Sequence, residues 1–182
     1  MNTFVVANPD KCISCKSCEI ACAVAHLNNG LATAGSIDAP FSPRINLIRA
    51  EMVTGPVQCR QCEDAPCADV CPVAAIVHLK DKIFVKTELC IGCKSCVLAC
   101  PFGAMDMVPL QNSGEQKKMI PKVITKEVMV ANKCDLCAGR PEGPACVEVC
   151  PGDALILVTP DVVNDRIENN RQSTLKKLLE SK

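Results

Sequence analysis

Sixteen cysteines in four groups of four, with none left over, constrain this 182-residue chain more than any other feature. The first group is Cys12, Cys15, Cys18 and Cys22, read C-x2-C-x2-C-x3-C. The second, Cys59, Cys62, Cys67 and Cys71, reads C-x2-C-x4-C-x3-C-P. The third, Cys90, Cys93, Cys96 and Cys100, reads C-x2-C-x2-C-x3-C-P, and the fourth, Cys134, Cys137, Cys146 and Cys150, reads C-x2-C-x8-C-x3-C-P. Closely spaced cysteines let one short loop wrap three corners of a cubane, with backbone amides turned toward its sulfides. The fourth cysteine, three residues on, is expected on a short helix pointing away from that body. Proline after it redirects the chain at Pro72, Pro101 and Pro151, whereas Ala23 breaks the pattern in the first group. Gly92 gives the third loop conformational freedom, and Ser14 stands in its place in the first.

Cysteine at this density means disulfides or metal. The chain has no Trp, no Tyr and only four Phe, so large aromatic side chains do not organise its interior. Met1 to Asp10 shows no basic start, long apolar run or twin arginine, and Cys12 follows at once. No stretch of about 18 apolar residues suggests a membrane span. The expected location is cytoplasmic, where thiols stay reduced and free for metal. Structural zinc takes two cysteines from each of two separated knuckles and requires neither a third cysteine two residues later nor the x3-C-P ending. A Rieske centre needs two histidine ligands, and His26 and His78 lie outside the ligand spacings. The runs therefore imply four 4Fe–4S clusters.

In two-cluster bacterial ferredoxins the fourth cysteine of a run ligates the other cluster of the pair. The second and third groups stand close enough to form one such unit. The rule then assigns Cys59, Cys62, Cys67 and Cys100 to one cluster and Cys90, Cys93, Cys96 and Cys71 to the next. The first and fourth groups are left to pair with each other. They give Cys12, Cys15, Cys18 and Cys150 for one cluster and Cys134, Cys137, Cys146 and Cys22 for the other. The expected fold is α+β: an inner ferredoxin-like unit (59–104) inserted in a split outer one (1–58 and 105–158), followed by a helical arm (159–182). Strands are expected at Phe4–Ala7, Ile45–Ile48 and Ala154–Val158, with a hairpin from Ala75–Leu79 and Lys82–Lys86. Because clusters would tie distant segments together, the apo chain should be largely unfolded.

Residues 24–43 and 108–120 read as surface loops. From Pro160, well placed as a first helical residue, Val163, Ile167, Leu175, Leu178 and Leu179 fall roughly on one side of a helical wheel. Such a helix either folds back on its own domain or docks a partner or a second copy. His26 and His78 read as packed or exposed histidines. Lys11, Lys16 and Lys94, beside cluster cysteines, would raise the local positive potential, and Ser17 and Ser95 could donate to cluster sulfur. Twenty basic and twenty acidic residues leave the chain formally neutral, which argues against a nucleic-acid footprint. With clusters bound it would be acidic and suited to basic partner surfaces.

The motifs Cys-Arg-Gln-Cys-Glu-Asp-Ala-Pro-Cys-Ala-Asp-Val-Cys-Pro at 59–72, Cys-Ile-Gly-Cys-Lys-Ser-Cys at 90–96, Cys-Asp-Leu-Cys at 134–137 and Gly-Pro-Ala-Cys at 143–146 carry a resemblance. Over about residues 1–158 the chain resembles the four-cluster ferredoxin-type electron-transfer subunits of molybdenum or tungsten oxidoreductases and hydrogenases. It is most similar to the small subunits associated with formate dehydrogenase and hydrogenase. The resemblance implies a conductor within an oxidoreductase complex, with electrons passing between a formate-oxidising or carbon-dioxide-reducing site and a hydrogen-activating site. No catalytic residue is expected in this chain, since it has no pterin-binding region and no nucleotide or flavin glycine fingerprint. A freely diffusing polyferredoxin is the alternative function.

Overall fold

Eight short strands pair two by two in the computed structural model, which describes residues 1–27, 41–110 and 128–180. All four pairings are antiparallel. β1 (Phe4–Ala7) lies against β8 (Leu155–Val158), with Phe4 opposite Val158 and Ala7 opposite Leu155. This pair joins segments about 150 residues apart in sequence and buries Val5 and Leu155 on its inner side. β2 (Ile45–Ala50) and β3 (Val53–Gln58) form a hairpin, as do β4 (Ile76–Leu79) and β5 (Lys82–Val85). β6 (Asp106–Pro109) pairs with β7 (Met129–Asn132). The three expected strands and the hairpin are therefore all present, because β-branched and aliphatic runs bounded by turn residues suit a half-buried ribbon.

Between the strands lie α1 (Ser17–Ala25), α2 (Pro66–Asp69), α3 (Ser95–Ala99) and α4 (Ala145–Glu148). Helices this short are not stable in isolation and depend on packing. α1 packs on α4, and α2 packs on α3. The expectation that the fourth cysteine rides on a helix holds only for Cys22. In the other groups the third cysteine (Cys67, Cys96, Cys146) is helical, and the fourth sits at or just beyond the helix end. Proline after the fourth cysteine disfavours helical backbone at that cysteine, and Ala23 imposes no such limit on α1.

Two apolar cores result. One holds Val5, Cys18, Cys22, Ile45, Cys146 and Leu155, and the other Ala65, Ile76, Ile83, Cys96, Met105 and Ala131. Cysteine thus supplies core volume that aromatic residues would otherwise fill.

α5 (Pro160–Glu180) runs from Pro160 as expected and has no buried residue. Ile167, Leu175 and Leu179 are exposed, so the helix does not fold back to bury its apolar side on the described chain. Most of the two expected surface loops lies outside the described residues. At their edges α1 continues through Ala25 and β6 through Pro109. No helix among the described residues is long and apolar enough to cross a membrane.

Candidate iron–sulfur centres

All sixteen cysteines are free thiols. In each group the residue before the second cysteine has left-handed backbone: Ser14 (φ 60°), Gln61 (51°), Gly92 (70°) and Leu136 (61°). Left-handed positions in a tight loop let neighbouring N–H groups turn to one side, making a concavity that favours an anionic body. At Gly92 the requirement is spatial as well. A Cβ there would stand 2.7 Å from the Met129 carbonyl oxygen. Lys16 and Lys94 are also left-handed and precede α1 and α3, so their backbone has a definite part in the loop, whatever their charge contributes.

The three Cys-Pro groups share a second device. Ala74, Gly103 and Asp153 have φ of 49°, 59° and 47°, which bends the chain back over the cysteine. The next N–H then reaches its sulfur: Ala75 to Cys71 (3.2 Å), Ala104 to Cys100 (3.4 Å) and Ala154 to Cys150 (3.2 Å). Such bonds favour the thiolate and tune a cluster's potential. In the first group α1 continues past Cys22, and the backbone N–H of Arg44 reaches its sulfur instead, at 3.2 Å. Gln61 and Ala131 donate to Cys59 and Cys90, both at 3.4 Å.

In the inner half, two cavities each bring together three cysteines of one group and the fourth cysteine of the other. One cavity is lined by Cys59, Cys62, Cys67 and Cys100, with Ile83 and Met105. A second is lined by Cys71, Cys90, Cys93 and Cys96, with Ile76, Val85 and Lys94. Among the described residues no three Cys, His, Asp or Glu side chains converge as ligands of one ion. The thiols of each inner set line one cavity, an arrangement suited to a polynuclear body. In the outer half, burial pushes the Cys146 thiol far up, and the neighbouring charges of Cys134, Cys22, Cys137 and Cys18 add to it. Cys134 is pushed up to about 12, chiefly by burial. Cys12 is half-buried and Cys15 exposed. The turn after Cys150 lies against the Cys12 loop, since a Cβ on Gly152 would be 2.5 Å from the Lys11 carbonyl oxygen. Buried thiols of this kind resist ionisation in an apolar site, and iron supplies the positive charge that permits it. The donor set therefore fits iron–sulfur clusters, which the chain binds.

Polar groups brace the sulfurs. The Ser95 hydroxyl lies 3.5 Å from the Cys93 sulfur, and hydrogen bonds from Ser17 and Ser95 hold Cys15 and Cys93 below the ordinary thiol range. His78 is exposed on β4. His26 caps α1 and is tied at both nitrogens, with Nδ1 2.7 Å from the Cys22 carbonyl oxygen and Nε2 2.9 Å from Asp135 Oδ1. Arg44 reaches the other Asp135 oxygen at 2.5 Å, and the Cys137 N–H donates to Asp135 at 3.1 Å. Burial works against both charges here. The bond to Asp135 nevertheless raises His26 to about 10, while His26 and Arg44 hold the Asp135 carboxyl well below its usual range. Sequence reasoning missed Arg44, Gln61, Lys133 and Asp135. For Gln61, Lys133 and Asp135 the available signal was an amide or charged side chain inside or beside a Cys-x2-C run, whereas Arg44, 22 residues after Cys22, carries no such signal.

A family model for the 4Fe-4S dicluster domain matches residues 89–164, one for the LdpA Fe-S cluster-binding domain matches 56–111, and one for the 4Fe-4S binding domain matches 9–25. The electron transport protein HydN of Escherichia coli (strain K12) is 43% identical over 177 residues, covering 96% of this chain and 98% of HydN. Hydrogenase-4 component A of the same strain is 38% identical over 192 residues, covering 94% of this chain and 90% of that protein. The chain also matches AegA of that strain at 44% identity over 176 residues, 97% of this chain, and it spans only a quarter of AegA's length (25%). Relatives of this similarity over nearly the whole chain, together with cysteine-lined cavities on a ferredoxin-like α+β fold, place the chain in the family of ferredoxin-type 4Fe-4S electron-transfer subunits that includes HydN and hydrogenase-4 component A.

Proposed function

We propose that the chain relays electrons through four 4Fe–4S clusters between catalytic subunits of formate dehydrogenase and hydrogenase type. The proposed ligand sets are Cys12, Cys15, Cys18 and Cys150; Cys22, Cys134, Cys137 and Cys146; Cys59, Cys62, Cys67 and Cys100; and Cys71, Cys90, Cys93 and Cys96. The observation that carries this reading is the pair of cavities whose cysteine linings are the two inner sets, each containing the fourth cysteine of the other group. The packing of α1 on α4 and of α2 on α3 supports a split outer unit (1–58 and 105–158) around an inner one (59–104). Met105 and Ala131 complete the inner core from the outer segment, so the two units share an apolar seam.

When bound, such clusters supply one-electron transfer. The protein holds each set of thiolates, directs backbone N–H groups at the sulfurs and excludes water with residues such as Ile76, Ile83, Val5 and Leu155. A rigid buried setting limits the reorganisation that accompanies a change of charge. Partner type is supported by relatives named for hydrogenase and electron transport, and docking through α5 by its uncovered apolar residues. A cytoplasmic setting is supported by sixteen unpaired thiols, which need a reducing compartment.

The test is iron and acid-labile sulfide content of anaerobically purified protein, with EPR after reduction. About sixteen of each per chain and interacting cubane signals are expected. Zinc without sulfide would sink the proposal. Sizing separates the diffusing polyferredoxin from the subunit, since the former runs as a small monomer in a lysate and the latter co-migrates with its enzyme.

A further inference from the structure

Lys133 is only 3% exposed. Its Nζ donates to the Ile83 carbonyl oxygen (2.6 Å), the Cys134 carbonyl oxygen (2.8 Å) and Gln61 Oε1 (3.2 Å). Three acceptors and no donor around one nitrogen is the environment of an ammonium with each N–H satisfied. All three acceptors are neutral, and among the described residues no carboxylate forms an ion pair with it. The cations near Cys22 differ in this respect, because Asp135 lies between His26 and Arg44. A buried charge without a counter-charge is among the costliest things a fold can contain, so this position calls for an anion close by.

The three acceptors show where that anion belongs. Ile83 lines the cavity of Cys59, Cys62, Cys67 and Cys100. Gln61 lies between Cys59 and Cys62 and donates its backbone N–H to the Cys59 sulfur. Cys134 belongs to the other set, with Cys22, Cys137 and Cys146. Gln61, itself 1% exposed, fixes the arrangement by accepting from the Ile83 N–H (2.8 Å) and donating Nε2–H to the Cys134 carbonyl oxygen (2.7 Å). The ammonium therefore sits on the seam between the two ferredoxin-like units, braced by both.

We propose that Lys133, held by Gln61, is a shared cation between the cluster of Cys59, Cys62, Cys67 and Cys100 and the cluster of Cys22, Cys134, Cys137 and Cys146, and that it raises the reduction potential of both. This rests on the ligand sets proposed above. A fixed positive charge stabilises the more negative, reduced state of each neighbour, and burial leaves that attraction poorly screened. Electrons crossing from one unit to the other would meet two couples biased in the same direction, so the cation raises both without opening a large difference of its own between them.

The experiment is an EPR-monitored redox titration of the full holoprotein and of Lys133→Met, with iron and sulfide counted in each. In the variant, two of the four couples should shift downward by at least tenfold in reduction equilibrium, about 59 mV for a one-electron couple, while the other two stay in place. Four unmoved couples, or four moved alike, would overturn the proposal. If Lys133→Met fails to retain iron, Gln61→Glu, which sets a carboxylate beside the ammonium, must lower the same two couples, and unmoved couples there overturn it. Failure of both variants to assemble would make Lys133 a folding residue and also overturn it. A wild-type protein without four clusters sinks the ligand assignment itself, and the iron count shows this before any variant is compared.

Discussion

Arg44 donates its backbone N–H to the sulfur of Cys22 at 3.2 Å, the service that Ala75, Ala104 and Ala154 perform for the other fourth cysteines from within their own turns. Its guanidinium meanwhile holds Asp135, which also bonds His26 and the Cys137 N–H. One residue beyond the cysteine motif thereby links Cys22 to the Cys134–Cys137 loop. Asp135→Asn removes the counter-charge of two partly buried cations. The expected loss is about 3 kcal/mol, the low end for a broken buried pair, read as earlier thermal bleaching of cluster absorbance and faster iron release to a chelator.

The same triad sets a pH dependence. His26 is raised from 6.5 to about 10, so its contribution is complete below 6.5 and is lost as pH rises through about 10. Asp135 is depressed, so its contribution is complete above its unfolded value of 3.8 and is lost only as pH falls toward the lower folded value. Resistance to cluster loss should therefore be greatest between these two unfolded values and decline through alkaline pH. His26→Asn should flatten the alkaline decline, and an unchanged slope in that variant would assign it to other groups.

Gly152 has no room for a side chain, because its Cβ would lie 2.5 Å from the Lys11 carbonyl oxygen. Gly152→Ala must separate the Cys150 turn from the Cys12 loop. Iron and sulfide should fall by about one cluster's worth. Gly55→Ala, whose Cβ would meet Pro9 at an ordinary 3.7 Å, should leave the content intact.

Crossed ligation has a simple genetic signature. Cys67→Ser and Cys100→Ser should each abolish the same EPR signal, and the double variant should lose no more than either. Cys67→Ser with Cys71→Ser should lose two signals, although these residues are four apart in sequence. Loss confined to one signal in that second double variant would contradict the crossing.

Removing residues 160–182 takes away a helix with no buried residue. Cluster content should not change, and stability should shift by no more than about 0.5 kcal/mol. Co-purification with a catalytic partner should be lost.

Most of the site was legible in the cysteine spacing, because cluster ligation is a local demand: the Cys-x2-Cys loops and x3-Cys-Pro endings each occupy a few consecutive residues. The left-handed positions were only partly readable. Gly92 announces one, whereas Ser14, Gln61 and Leu136 adopt the same backbone without any marker in residue type.

By itself the sequence determined the four cysteine groups, the hairpin of Ala75 to Lys86, the strands at both ends of the cluster region and the helix that begins at Pro160. Each of these follows from short-range chemistry. Tertiary structure decided which residues stand beside the sulfurs from elsewhere in the chain. Arg44 comes to Cys22, Asp135 to His26 across 109 positions, and Lys133 to Gln61 across 72. Their charge and burial depend on distant segments meeting at one point, and no periodicity or spacing records such a meeting.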